Sequence, residues 1–294
     1  MDIKFRVGHI IKRIRSEKGY SQAELSAGIC SINALARAES NETSPSFEIL
    51  FALLDRLGVS IEKVIAEANL EEKRLFIQQK LVMEHHVESY DLVSVKESLK
   101  LIDDITYNNL SIREQQFIDI MKIEVLTHVE GQWKKAKLLA EAALYKSYKE
   151  KANYFSDEEV KLINIILRFE QSNTNIKRAE KALLWLEKEH PYLQNRYLML
   201  YLINGLMITE YLNENWRKVL EMSAKGLQIA EKEQGVKFIP NFLFLKGLSL
   251  YMLNIEQDKG KVLMQEAFKV CELTNHMYVR EGLLDTVTKY NIIL

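Results

Sequence analysis

A pattern of apolar and small residues recurs five times along the last two-thirds of the chain, and it restricts the fold more than any other feature. In its clearest copy Trp133 is followed by Ala136, Ala140 and Ala143. Equivalent frames begin at Leu92 (Val95, Leu99, Ile102), Ile176 (Ala179, Leu183, Leu186), Trp216 (Val219, Ser223, Gly226) and Gly260 (Leu263, Ala267, Val270), with starts about 40–44 residues apart. Steps of three and four put each set on one face of a helix. A period of this length signals a solenoid, in which stacked helix pairs cover apolar faces that no pair can cover alone.

Composition agrees with a helical chain. Only 11 Gly and 3 Pro occur in 294 residues, and 47% of the residues are apolar. Turn-rich sheet folds need more of both breakers. The formal net charge is −1, so contact with nucleic acid has to come from a local patch. No run of about 18 apolar residues suggests a membrane span, and the N-terminal string mixes charges with apolar residues, unlike a signal peptide. A cytoplasmic protein is expected, with no membrane partner. Cys30 and Cys271 are far apart, and no structural disulfide is expected between them. There is no glycine-rich phosphate loop, nucleophile motif or zinc spacing, and His85 and His86 are adjacent rather than on one helix face. No enzyme activity, metal or cofactor is expected.

The first 66 residues follow a different plan. Val7, Ile10, Ile11 and Ile14 recur at helical spacing, and Gly19 ends that helix. Ser21 and Glu24 form a capping box for a short helix over 22–27 that stops at Gly28. Ser31 caps a helix over 32–39, and Asn41 takes the left-handed conformation that ends it. Pro45 and Ser46 open a fourth helix, with Phe47, Leu50, Leu53, Leu54 and Leu57 expected on its inner side, and Gly58-Val59-Ser60 leads into a fifth. Two short helices joined by a glycine turn make a helix-turn-helix, whose second member enters the major groove. Spacing turns Ile29, Leu35 and Ala38 inward and leaves Ser31, Ile32, Asn33, Ala36 and Arg37 for DNA. Asn suits adenine, Arg suits guanine or phosphate, and Ile suits a thymine methyl. Gln22, at a helix N-terminus, is placed for phosphate.

The expected fold is all-α, with a five-helix DNA-binding head over 1–66, a connector helix over 67–75, and a helical repeat domain over 76–294. Helices over 159–171 and 192–212 precede two of the repeat frames, and a last helix over 275–292 caps the stack. In such a stack the first helix of each pair lines a concave groove. Counting twelve residues back from Ile176 and Trp216 gives Asn164 and Asn204, at matching groove positions 40 apart. A side-chain amide both donates and accepts, which suits the backbone of an extended peptide. Lys161 and Arg168 flank the first Asn and suit a carboxylate; Tyr201 and Phe244 suit apolar side chains. Internal bonding between repeats is the competing role for both asparagines.

The head resembles the Xre/Cro-type helix-turn-helix family of phage and bacterial repressors through Ile11–Arg15, Gly19–Leu25, Arg37–Ser40, Pro45-Ser46 and Leu57–Val59. That resemblance implies an ion pair between Arg15 and Glu39. The segment Gly131–Ala143 resembles the second half of a tetratricopeptide (TPR) unit, here with a longer period than usual. A helix-turn-helix followed by about five TPR-like units resembles the peptide-responsive regulators of Gram-positive bacteria, the PlcR- and Rgg-like group, also through Leu245–Leu248 and Asn275–Leu284. This implies a homodimer that binds a palindromic operator and a short signalling peptide, and that regulates transcription as an activator. It also implies peptide contact by Asn164, Asn204 and a tyrosine near the last helix, for which Tyr278 is the nearest match. Two other functions compete: a regulator responding to a non-peptide signal such as oxidation of Cys30 or Cys271, and a TPR scaffold for protein partners.

Overall fold

A computed structural model describes residues 7–189, 195–230 and 236–294, with backbone alone at 69–75 and 88. The described residues form sixteen α-helices and one 3-10 turn, with no strand. Two compact units divide the chain, residues 1–90 and 91–294.

The first unit begins with α1 (Gly8–Glu17), α2 (Gln22–Ser26), α3 (Ile32–Glu39) and α4 (Phe47–Arg56), and ends with the long α5 (Ile61–Glu88). Each boundary has a local chemical cause. Gly19 sits at φ 76° and lets the chain turn out of α1. The Ser21 hydroxyl and the Glu24 carboxylate close a reciprocal capping box on α2. Ser31 accepts from the Ala34 N–H at 3.1 Å at the start of α3. Asn41 adopts φ 57° after α3, and its side-chain oxygen accepts the Gly8 N–H at 3.0 Å, so one residue ends α3 and serves the start of α1. The core joins Val7, Ile10, Ile11 and Ile14 to Leu25, Leu35, Leu53, Leu54, Leu57 and Val64. Phe47 departs from its expected inward position: it is 66% exposed. It occupies the first turn of α4, and the inner face begins only with half-buried Ile49 and Leu50. The boundary expected at residue 66 falls within α5, which continues without a break through 67–75.

The second unit is a stack of antiparallel pairs. It starts with α6 (Leu92–Leu99) and α7 (Asp104–Asn109) and continues through α8 (Ile112–His128), α9 (Trp133–Leu144), α10 (Asp157–Phe169) and α11 (Asn173–Lys188). It finishes with α12 (Arg196–Leu212), α13 (Trp216–Ala230), α14 (Ile239–Met252), α15 (Gln257–Leu273) and α16 (Met277–Lys289). From α8 onward neighbours in sequence pack together, α6 packs on α8, and α8 also packs with α10, α10 with α12 and α12 with α14. That alternation defines a solenoid, with α8, α10, α12 and α14 side by side. The start of the expected helix over 192–212 lies partly outside the described residues, at 192–194.

The small residues act where helices approach closely. Ala136, Ala140, Ala143, Ala179, Val219 and Ser223 are fully buried. Gly226 makes room for the Phe242 ring, which would lie 2.6 Å from a Cβ there. In the last frame the buried set is Gly260, Met264, Ala267 and Cys271, one residue later than the expected Leu263 and Val270. The crossing of α14 with α15 rests on Gly260 facing Gly247: a Cβ on Gly260 would meet the Gly247 carbonyl at 2.6 Å, and the reverse substitution meets Gly260 O at 2.4 Å. Backbone cannot yield as a side chain can. Gly260→Ala is therefore expected to destabilise the repeat unit by about 1–3 kcal/mol through overpacking, read as a lowered midpoint in urea denaturation of the full chain.

Candidate DNA and ligand surfaces

Helix α3 is positioned from below by one ion pair. Arg15 on α1 clasps Glu39 at the end of α3 through Nε and Nη2, at 2.6 and 3.0 Å, and its Nη1 donates to the Tyr20 carbonyl at 2.8 Å. Gln22 Nε2 adds a third bond to Glu39 at 2.8 Å. The Glu39 side chain is 1% exposed. Burial opposes its ionisation, but the bonds from Arg15 and Gln22 outweigh burial and hold the carboxyl below its ordinary range. Arg56 of α4 secures the other end of the motif, donating to the carbonyls of Glu24, Leu25 and Ala27 as α2 ends. Nothing in local sequence pattern marks this cap, because its partners lie some thirty residues away.

With α3 held by Leu35, Ala38 and Glu39, its remaining face is free. Ser31, Ile32, Asn33 and Arg37 are exposed and Ala36 is half-buried. These five side chains share the outer face, as the spacing predicts. Arg37 lies 3.7 Å from Glu42, with both side chains largely in solvent. Gln22 differs from the rest, being half-buried with one amide hydrogen engaged by Glu39.

In the second unit α10 and α12 bring five of the seven expected groove residues together. Lys161, Asn164 and Arg168 share one face of α10, and Tyr201 and Asn204 share the facing side of α12. Arg168 is surrounded by protein yet 38% of its side chain stays accessible, as for a group lining a concave surface. It is not a free cation: Nη2 donates to Glu124 of α8 at 2.9 Å. Glu124 also meets His128 Nε2 at 3.3 Å. Burial opposes the Glu124 charge, but His128 and Arg168 prevail and lower its pKa to about 2. Burial pushes the Tyr201 hydroxyl up to about 12, and this hydroxyl faces the Asn164 amide. Lys161 is half-buried and has no ion-pair partner among the described residues.

The two asparagines differ. Asn204 is half-buried, and its oxygen accepts from Asn241 of α14 at 3.3 Å. Asn164 is 7% exposed, and its Oδ1 has no hydrogen-bond partner among the described residues. It lies against Gly205, where a Cβ would come within 1.9 Å of that oxygen. Tyr278 is 63% exposed and its ring meets that of His128 edge-on at 6.2 Å, which joins α16 to the Glu124–Arg168 group. Phe244 corrects the expectation: it is 1% exposed, with its ring against Phe268 at 5.9 Å, in the core between α14 and α15. Glu124, His128 and Asn241 belong to the same surface, and single-helix periodicity did not select them. Both thiols are pushed up by burial, away from the reactive thiolate.

Comparison with known proteins agrees with this anatomy. A helix-turn-helix family model matches residues 11–64, so the head is a helix-turn-helix domain. No curated protein sequence matches. Among solved structures, Bacillus thuringiensis PlcR in complex with the peptide PapR7 and DNA is similar at a TM-score of 0.75 and 19% identity, covering 95% of this chain and 98% of that one. ComR of Streptococcus thermophilus, in complex with DNA and its signalling peptide ComS, gives 0.61 and 15%, over 97% and 100%. The pheromone receptor Rgg2 of Streptococcus dysgalactiae gives 0.61 and 16%, over 97% and 99%. At these identities the likeness is one of fold: a helix-turn-helix head followed by TPR-like helical repeats.

The buried pair predicts an acid-sensitive head. The depressed Glu39 carboxyl contributes stability that is present above its ordinary value of 4.5 and is lost as pH falls through its lower folded value. Glu39→Gln should cost about 1–3 kcal/mol at neutral pH, because the half-buried Arg15 loses its partner charge. It should also flatten the acid limb of a thermal-melt series followed by circular dichroism. A variant as stable as the parent at pH 7 would show that the pair is dispensable.

Proposed function

We propose that this chain is a DNA-binding transcription regulator whose repeat unit binds a short linear peptide and so controls DNA binding by a homodimer. Residues 1–66 read the operator, 67–75 connect, and 76–294 hold the peptide and the dimer contact. The observation that carries this reading is the line of side-chain amides across facing helices, Asn164 on α10, Asn204 on α12 and Asn241 on α14, in one chain with an exposed recognition helix. An extended peptide presents backbone donors and acceptors at regular intervals, and a row of amides matches both. PlcR and ComR, which share the fold, were each solved with DNA and a peptide, and Rgg2 is described as a pheromone receptor. The protein acts in the cytoplasm, as an activator, and without catalysis. The raised thiols disfavour control by oxidation, and the free face of α3 disfavours a purely scaffolding role.

On DNA, the two-fold symmetry of a dimer is mirrored in a palindromic site. Selection from random duplexes should return such a site. Asn33→Ala and Arg37→Ala should each weaken binding to it by about 1–3 kcal/mol and relax base preference; binding and preference unchanged in both variants would place the reading helix elsewhere.

For the peptide, genome-wide mapping of bound sites with and without peptides recovered from culture medium tests the response. Asn204→Ala should weaken the effective peptide by about 0.5–1.5 kcal/mol in calorimetry, the worth of one hydrogen bond. A peptide-independent binding map would overturn the regulatory reading while leaving DNA recognition intact.

A further inference from the structure

One position on α12 departs from what its helix requires. Gly205 lies in the interior of α12, where glycine weakens a helix relative to alanine. It makes room for a side chain and not for a neighbouring backbone. The three atoms nearest to a Cβ built there are Oδ1, Cγ and Nδ2 of Asn164, at 1.9, 2.9 and 3.3 Å. Gly247 and Gly260 are the contrast, since a Cβ on either first meets the backbone carbonyl of the other.

The amide that fills this slot is poorly served by it. Asn164 is 7% exposed, and its Oδ1 has no hydrogen-bond partner among the described residues. A buried acceptor without a donor is an unfavourable state that calls for a reason. Tyr201, one turn before Gly205 on the same side of α12, presents its hydroxyl to the amide. Asn204, at the matching place in the next repeat, shows the alternative: it is half-buried, and its oxygen accepts from Asn241. The Asn164 amide turns about two single bonds. Rotation can carry it out of the slot into the groove, where a peptide N–H can reach its oxygen.

We propose that Gly205 is a positioning residue for peptide binding: in the empty groove the Asn164 amide is stored over Gly205, and a peptide draws it out to accept a backbone N–H. This rests on the peptide reading given above and adds a selection step to it. Storage lowers the apparent affinity of every ligand by the same factor, and only a ligand with an N–H at that point offsets it.

The test uses the full-length chain and a synthetic library of random heptapeptides with free ends. Peptides retained on the immobilised chain are identified by mass spectrometry, and the most enriched one is remade with a fluorescein label for anisotropy. A methyl group at residue 205 takes the place of the amide and keeps it in the groove. Gly205→Ala is therefore expected to bind this peptide about three- to tenfold tighter than the parent. In the Asn164→Ala background the methyl displaces nothing, so the gain should vanish there; any effect that remains is the methyl's direct contact with the peptide. The displaced atoms are the free end of a side chain, so Gly205→Ala should melt at or above the parent's temperature. No gain in affinity, or the same gain in both backgrounds, overturns the proposal. So does a melting temperature lowered by Gly205→Ala in the parent but not in the Asn164→Ala background, because the amide then cannot leave the slot. Asn204→Ala separates this proposal from the reading beneath it. If that variant weakens the peptide while Gly205→Ala changes nothing, the groove stands and the slot is inert. If the parent retains no heptapeptide, the peptide reading falls and the proposal with it.

Discussion

A helix pair buries one side of itself and leaves the other in need of a neighbour, and everything in the second unit follows from that. Stacking satisfies it only if successive pairs come close, so the sequence places Ala, Ser and Gly at the contacts. Ala136, Ala140, Ala143 and Ser223 are fully buried although they contribute little apolar area. Their value is geometric: a small side chain lets the next helix supply the contact, as Phe242 does over Gly226. The same stacking sets α8, α10, α12 and α14 side by side, so residues at matching positions in successive repeats form rows. The groove is thus a by-product of how the core is closed.

The head obeys a different constraint. Four short helices and the start of α5 make a small core, and orientation depends on polar contacts at the helix ends. Glu39 accepts two bonds from Arg15 and one from Gln22, Asn41 serves both α1 and α3, and Arg56 gathers the carbonyls that end α2. A buried charge pair gives little net stability over an apolar substitute but penalises any arrangement that separates it. Its use here is to fix where α3 points, which is the property a recognition helix needs.

What the sequence revealed and what it concealed divide along the same line. Caps are local chemistry, so Ser21 with Glu24, Ser31 and Asn41 could be read three residues at a time, and α3 starts and ends where they place it. Phe47 was misplaced because periodicity extended the inner face one turn too far toward the N-terminus. Phe244 was misplaced because α14 is apolar nearly all round, so no stripe tells its groove side from its core side. Asn241 escaped because it follows Asn204 by 37 residues, short of the 40-residue step between the first two asparagines. Glu124 escaped because its significance lies in a partner 44 residues away. Pairing across repeats is set by stacking, which one helix's pattern does not encode.

These pairings change what the groove can ask of a peptide. Read from sequence, Arg168 is a cation waiting for a carboxylate. In the fold Glu124 already neutralises it and His128 completes the group. A ligand carboxylate placed there would have to displace Glu124, whose charge is held by its bonds to Arg168 and His128. Lys161, one turn from Asn164 and without an ion-pair partner among the described residues, is the better anchor for negative charge. Asn164 adds a second demand. One end of its amide is buried without a hydrogen bond, which costs about 1–3 kcal/mol. A ligand that turns this amide toward its own backbone recovers that cost, whereas one that leaves it against Gly205 does not. For the proposed peptide, recognition would rest more on hydrogen bonds offered in the right order along the amide row than on net charge, which a simple anion could not supply.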